Sequence, residues 1–448
     1  MQGSTSIPGS KRQRGTLRSG GIVPGRRCGR RSQNQAVTSI AIGLLVCLTA
    51  IATCAQDRPA PRMAGLATVY YPNAHADMFL SRMLTGYTLD GQGEFPPWKL
   101  ASLHVEQFPD NDMSRKLAAA HGVPMFAMPR QALTLGGDKL AVDGVFLICE
   151  HGKYPESDTG QFLYPKRAMF AQIVAEFERS GRVVPVFLDK HLADNWRDAK
   201  WIYDEAQRLK IPLMAGSSLP VLWRYPPRDV QRDAALREVL VLSYHRLDSY
   251  GFHALEIGQA LAERRRGGET GVKSVRTLKD DAVWRAIDEG VVDAKLLELA
   301  TAQAKDRPIR KDKKLSELIK HPHLFVIDYR DGLRVNVLTL DQLYIDWTAA
   351  WSYTDGRRDA AVFWTQEARP FMHFTYLMKP LEPFFRDGTR PWPVQRTLLT
   401  TGLLDALLVS NRDGGRVVDT PHLNIEYRTD WNWSQPPPPP PDRPINGQ

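Results

Sequence analysis

Three polar segments each bring a histidine to the end of an apolar run: Tyr71-Pro72-Asn73-Ala74-His75-Ala76, Glu150-His151-Gly152-Lys153-Tyr154 and Asp189-Lys190-His191. A fourth histidine, His253, lies further along with Asp248 and Glu256 nearby. Imidazoles titrate near neutrality and so can exchange protons with a substrate hydroxyl. With Glu150 and Asp189, the four histidines would also suit a divalent metal of the zinc or manganese type, and with it a metal-assisted lyase, isomerase or hydrolase acting on carbohydrate. Spacing gives that second chemistry little help, because no H-x-H or H-x-x-x-H pair occurs among the four. Any one segment reads equally as a capping or solvated loop. Their shared position, each after a strand, is what points to a site.

The elements that must hold these segments alternate. Leu66–Tyr70, Leu100–Val105, Val142–Cys149, Val183–Leu188 and Pro212–Ala215 read as strands. Between them Ala76–Leu84, Met113–His121, Tyr164–Ser180 and Asn195–Leu209 have helical spacing. The nearly continuous apolar run VDGVFLIC is what a central parallel strand needs, since both its faces are covered. Such alternation predicts a doubly wound parallel sheet, in which ligands sit beyond the carboxyl ends of the strands. All three histidine segments fall on that edge. After Pro226-Pro227 the pattern changes to strands at Val239–Tyr244, Leu324–Tyr329, Leu333–Leu338, Ala361–Trp364 and Phe371–Leu377, with a helix at Phe252–Arg264. The turn Arg330-Asp331-Gly332 marks a hairpin, and the whole reads as an α+β unit with a mostly antiparallel sheet. Trp347, Trp351, Trp364 and Trp392 suit either a groove for a sugar-like ligand or, as indoles more often do, a core.

The chain has 448 residues, enough for two domains. Its formal charge of +9 comes almost wholly from residues 1–56, which carry eight basic residues and no acid. The remainder holds 51 basic against 50 acidic residues, so nucleic acid is not an expected partner. Cys149 is the one cysteine outside the leader, which excludes an internal disulfide or a zinc ribbon in the body. The uncharged stretch Ala36–Ala55 follows Arg-rich sequence and ends in small residues, the pattern of a secretory signal, with a membrane anchor as the alternative. Arginine pairs at 26–27 and 30–31 hint at the twin-arginine route. The expected location is therefore periplasmic or extracellular. The charge-rich Lys305–Lys320 reads as a solvated insertion, and Pro436–Pro441 as a solvated polyproline II tail.

From about Leu66 to Tyr427 the sequence resembles the Gfo/Idh/MocA family, named for glucose–fructose oxidoreductase and inositol dehydrogenase. The segment from Pro185 to Arg224 (PVFLDKHLADNWRDAKWIYDEAQRLKIPLMAGSSLPVLWR) is similar to the family's strand ending in Glu-Lys-Pro, here Asp189-Lys190-His191. Tyr250-Gly251-Phe252-His253-Ala254-Leu255-Glu256 resembles the family's Asp-x-Gly-x-His-x-x-Asp helix start, and Arg396–Tyr427 its closing helix and strand. The resemblance implies an N-terminal Rossmann-like domain over 57–222, a C-terminal substrate domain over 223–430, and a tail over 431–448. It implies a nicotinamide cofactor, NAD or NADP, and a sugar or polyol substrate. His253 then falls on the catalytic histidine, Lys190 on the lysine that holds the reacting oxygen, and Glu256 or Asp248 on an acid that orients the ring. Pro72, Asn73, His75, Glu106, Glu150, His151 and Asp189 fall where the cofactor is held, Glu106 against a ribose hydroxyl.

One departure stands out. The family's first turn is Gly-rich so that a diphosphate can approach the backbone, whereas Tyr71–Ala76 contains no glycine. Three readings follow: a redox enzyme, a metal-assisted relative, and a non-catalytic exported protein that uses the fold to bind a ligand. A homo-oligomer is compatible with all three.

Overall fold

The computed structural model describes residues 59–304, 313–340 and 345–438. The leader, most of the Arg310–Lys314 run and the end of the proline tail lie outside the described residues. The first sheet is built from β1 (Arg62–Ala67), β2 (Lys99–Val105), β3 (Gly144–Ile148), β4 (Val186–Asp189) and β5 (Leu213–Gly216). All pair in parallel, in the order β2-β1-β3-β4-β5. Every residue of β3 is buried, as its unbroken apolar run requires of the central strand. Helices α1 (His75–Thr85), α2 (Ser114–Ala120), α3 (Pro129–Thr134), α4 (Lys166–Ser180) and α5 (Trp196–Arg208) connect the strands. The order reverses between β1 and β3, and the crevice at such a reversal is where this architecture holds ligands.

The second sheet begins at β6 (Trp223–Tyr225) and continues through β7 (Leu236–Ser243), β9 (Val272–Lys279), β10 (His323–Tyr329), β11 (Arg334–Thr339), β12 (Trp347–Tyr353) and β13 (Arg358–Trp364), with the short β14 (Val418–Asp419) at its edge. The short β8 (Glu269–Thr270) lies outside it and pairs with β15 (Glu426–Tyr427). All its pairings are antiparallel except β7 with β11. The helix α6 (Ser249–Ala262) packs its apolar side against this sheet, with Phe252, Ile257 and Leu261 fully buried. α7 (Asp281–Asp288), α8 (Ala294–Ala302) and α9 (Leu315–Leu318) follow on the other face, where Val283 and Leu296 join the core.

Two expectations are corrected. Phe371–Leu377 is not a strand: it lies in α10 (Met372–Met378), and with α11 (Leu381–Asp387) it turns back to cover the first sheet. Phe374, Leu377, Phe384 and Phe385 share a core there with Phe79, Phe146 and Phe187. The long α12 (Gln395–Arg412) then bridges both cores, with Leu398 packed under the first sheet and Leu404 under the second. A boundary at 222/223 thus separates the two sheets but not the segments that pack on them. Finally, the proline tail is not wholly solvated at its start. The Pro437 carbonyl accepts hydrogen bonds from Trp223 Nε1 at 2.8 Å and Tyr376 Oη at 3.0 Å. Among the described residues no helix is long and apolar enough to cross a membrane.

Candidate active site

The carboxyl ends of β3 and β4 carry a buried charge network. Glu150, two residues past the end of β3, is 3% exposed. Its Oε1 accepts from Lys166 Nζ at 2.7 Å and its Oε2 from Lys190 Nζ at 3.1 Å. Burial pushes the Glu150 carboxyl up, but the two lysines outweigh it and hold its pKa well below the ordinary value. Burial likewise works against the Lys190 charge, yet Glu150 and Asp189 prevail and hold that pKa above its usual value. Lys190 is therefore a fixed cation at the rim of the sheet. Lys166, fully buried at the start of α4, also donates to the His191 and Asp189 carbonyls and lies 3.1 Å from His191 Nδ1. Lys166 is the member of the network that the sequence reading missed.

Opposite stands His253, in the first turns of α6. Its Nδ1 lies 2.6 Å from Ser217 Oγ, just beyond β5. A hydroxyl can donate to or accept from an imidazole; when Nδ1–H donates to Ser217, Nε2 keeps a lone pair. Burial, aided by the Lys190 charge, holds the His253 pKa well below its ordinary value, so the ring is neutral at physiological pH and its free nitrogen is open to accept a proton. The expected orienting acids do not touch it. Glu256 is fully buried and accepts from Thr400 Oγ1 at 2.6 Å and from the Ser217 backbone N–H at 3.4 Å. Gly216 leaves room for that carboxylate: a Cβ there would lie 2.9 Å from Glu256 Oε2. Glu256 thus positions the Ser217 segment, and Ser217 positions the ring.

Lys190, His253, Glu150, His75, His151 and His191 all line one cavity of about 380 Å3 between the two sheets. Asp248, Tyr250, Trp347 and Glu367 close it from the side of the second sheet, and His373 of α10 completes the lining. Asp248 and the four histidines were legible in the sequence as site residues; Tyr250, Glu367 and His373 were not. Of the four tryptophans considered for a groove, Trp347 lines this cavity, whereas Trp351 and Trp392 are buried in cores. Among the described residues, three buried polar atoms of the lining make no hydrogen bond of good geometry: Asp248 Oδ1, Trp347 Nε1 and His373 Nδ1. An unmatched buried polar group is destabilising by about 1–3 kcal/mol, so these three atoms suit contact with water or a polar ligand in the cavity. Backbone strain gathers here too. Asn73 (φ +67°), His151 (φ +64°), Lys190 (φ +59°) and Phe371 (φ +51°) line the cavity, four of the ten non-glycine residues with positive φ among the described residues.

Asp248 stands at the N-terminus of α6 without capping it. Burial and the nearby Glu150 charge push its pKa up to about 6 from 3.8. A carboxyl whose folded pKa is raised binds the proton more tightly in the folded state, so stability falls as pH rises from about 4 to about 6. Asp248→Asn is expected to stabilise the protein at pH 7 by about 2–3 kcal/mol, and the gain should vanish near pH 4. Urea unfolding at the two pH values checks this.

Three of the four histidines are committed to protein partners. His75 Nδ1 donates to Asp189 Oδ2 at 2.5 Å, and Nδ1 atoms of His191 and His253 face Lys166 and Ser217. Burial, with the charges of neighbouring cations, lowers the pKa of His151 and of His191 to about 3. Among the described residues no group of three His, Cys, Asp or Glu side chains is arranged to hold a metal ion.

Of the expected cofactor residues, Asn73, His75, Glu150 and His151 line the cavity, and Asp189 holds His75. The chemistry of this end suits a carboxamide: Asn73 offers an amide and His75 and His151 offer ring nitrogens at the cavity wall. The phosphate end is furnished differently from a Gly-rich turn. Asn73 takes the positive-φ position, which asparagine tolerates. Its N–H is bound by Asp77 Oδ2 at 2.9 Å, and Arg369 Nη1 reaches the same oxygen at 2.7 Å. Pro72 is exposed and lines no part of the cavity. Glu106 accepts from the Tyr154 hydroxyl at 2.6 Å, and Gln107 Oε1 accepts from the Lys153 N–H at 2.9 Å. The loop after β3 is thereby tied across the end of β2.

No protein-family model matches the sequence, and no curated protein matches it. Solved structures do match in fold. GenD2 from gentamicin A biosynthesis, in complex with NAD, is 14% identical with a TM-score of 0.50, covering 81% of this chain and 97% of that one. A probable dehydrogenase from Thermotoga maritima is 12% identical with a TM-score of 0.50, covering 81% and 99%. A myo-inositol dehydrogenase from Corynebacterium glutamicum is 12% identical with a TM-score of 0.49, covering 81% and 99%. The chain has the fold of the Gfo/Idh/MocA dehydrogenases: a Rossmann-like parallel sheet joined to a mostly antiparallel one.

Proposed function

We propose that this protein is an oxidoreductase acting on a carbinol of a sugar or polyol, with NAD or NADP as its cofactor. The observation that carries the reading is the meeting of a fixed cation, Lys190, and a neutral imidazole, His253, on one polar cavity at the strand ends. Lys190 holds the substrate oxygen and stabilises the negative charge that grows on it as its proton leaves. His253 takes that proton through Nε2, with Ser217 accepting from Nδ1. Asp248, Trp347 and His373 supply a carboxylate, a donor and an imidazole nitrogen to further hydroxyls of the ligand. A nicotinamide, when bound, supplies the electron-pair acceptor for the carbinol carbon, and Asn73, His75, Glu150 and His151 are the residues that would hold it.

The test is nicotinamide absorbance of the full body of the protein with a panel of sugars and polyols. His253→Ala is expected to lower turnover by about 10²–10⁴-fold. Absence of reduction with every sugar and both nicotinamides would refute the redox reading. We further propose that the chain is exported, on the strength of the Arg-rich and apolar leader. Mass spectrometry of the mature N-terminus checks this, and an intact N-terminus on protein from the cytoplasm would contradict it.

A further inference from the structure

A second cavity of about 290 Å3 opens beside the first, walled by Tyr244, Ile345, Phe363 and Trp364. Tyr250, Trp347, Thr365 and Glu367 line both hollows, so the two meet across a shared ridge. Trp347 forms that ridge. Its ring stacks on Tyr250 at 5.4 Å and 19° and packs against Tyr244 at 4.7 Å. These neighbours fix the direction of its indole N–H. The ring is 4% exposed, and among the described residues Nε1 has no hydrogen-bond partner. A buried donor of this kind at a cavity wall is free to meet an acceptor that a ligand or a water brings.

The second cavity has the chemistry that a pyranose needs. Its aromatic walls offer flat apolar surface to the C–H face of a ring, and Thr365 and Glu367 offer oxygens to its hydroxyls. A single sugar ring in the first cavity would leave this surface unused. We propose that the second cavity is a subsite for a second sugar ring, so that the substrate is a glycoside of two or more rings rather than a free monosaccharide or polyol. The reacting ring lies by Lys190 and His253, and its neighbour lies beyond Trp347. This inference rests on the sugar reading of the first cavity and adds to it the length of the ligand.

Isothermal titration with cellobiose, maltose, sucrose and trehalose, each against glucose and fructose, tests it. At least one disaccharide is expected to bind about 10-fold or more tighter than its component monosaccharides. Ile345→Trp fills the second cavity alone. It should erase that margin while leaving monosaccharide affinity within about twofold. Ile345→Phe, a smaller intrusion, should reduce the margin in the same direction, and circular dichroism confirms that both variants fold. Monosaccharide binding with no disaccharide preference overturns the subsite and leaves the first-cavity reading intact, as does a preference that survives Ile345→Trp. Absence of binding by every sugar overturns both.

Discussion

Glu150→Ala is expected to lower the melting temperature by about 6–20 °C, or to prevent folding. The carboxylate is buried and is bonded to two buried ammonium groups, those of Lys166 and Lys190. Removing one partner of a buried ion pair costs about 3–5 kcal/mol, because the other charge stays behind unpaired. Here one carboxylate serves two cations, which places the loss toward the upper end. Each kcal/mol corresponds to about 2–4 °C in a domain of this class. The contrasting variant removes charge as well as partner. Glu150→Leu combined with Lys166→Met leaves only Lys190 to find solvent from the cavity rim, and should recover a large part of the loss. Calorimetric melting of the three proteins checks the pattern. A Glu150→Ala protein melting within about 1 °C of the parent would contradict the network.

Lys190→Met is expected to act on turnover instead. Glu150 keeps its 2.7 Å bond to Lys166, so the carboxylate stays paired and the fold survives. The cavity loses the cation that stabilises negative charge on the substrate oxygen. Turnover should fall by about 10²–10³-fold, mainly in kcat, since the charge develops only as the reaction proceeds. Lys190→Arg should not restore it. The planar guanidinium presents its donors differently from a compact ammonium and does not fit between Glu150 and the reacting oxygen. Steady-state kinetics on whichever carbinol the parent oxidises decides the matter. Unchanged kcat in Lys190→Met would remove the lysine from the chemistry.

Much of this architecture was legible in the amino-acid order. Strand–helix alternation from Leu66 to Gly216 needs only a change of hydrophobic period, and β3 announces its central place by an unbroken apolar run. The three histidine segments fell on one edge because parallel strands send their carboxyl ends the same way. The segment Phe371–Leu377 failed for a physical reason: α10 is packed between the first sheet and its neighbours, nearly every residue is buried, and no helical period remains to be read. The partners of His253 and Lys190 were hidden for another. Ser217 and Lys166 are ordinary residues until tertiary contact brings them to an imidazole or a carboxylate. Glu256 looked like an orienting acid from its spacing on α6, yet three residues along a helix turns a side chain by nearly a full turn without aiming it at the same neighbour. It reaches Thr400 on α12. Trp347 and Trp364 were ambiguous between groove and core, and the structure makes them both: buried rings whose edges line a cavity.

The central claim is that Lys190 and His253 act on one reacting oxygen. A double-mutant cycle on turnover, with Lys190→Met, His253→Ala and the pair, tests it most directly. Groups that serve one proton transfer fail together, so the double variant should be no slower than the slower single variant to within about threefold. Losses that multiply, each variant subtracting its full effect from the other, would mean that the two side chains work on separate events and would contradict the account.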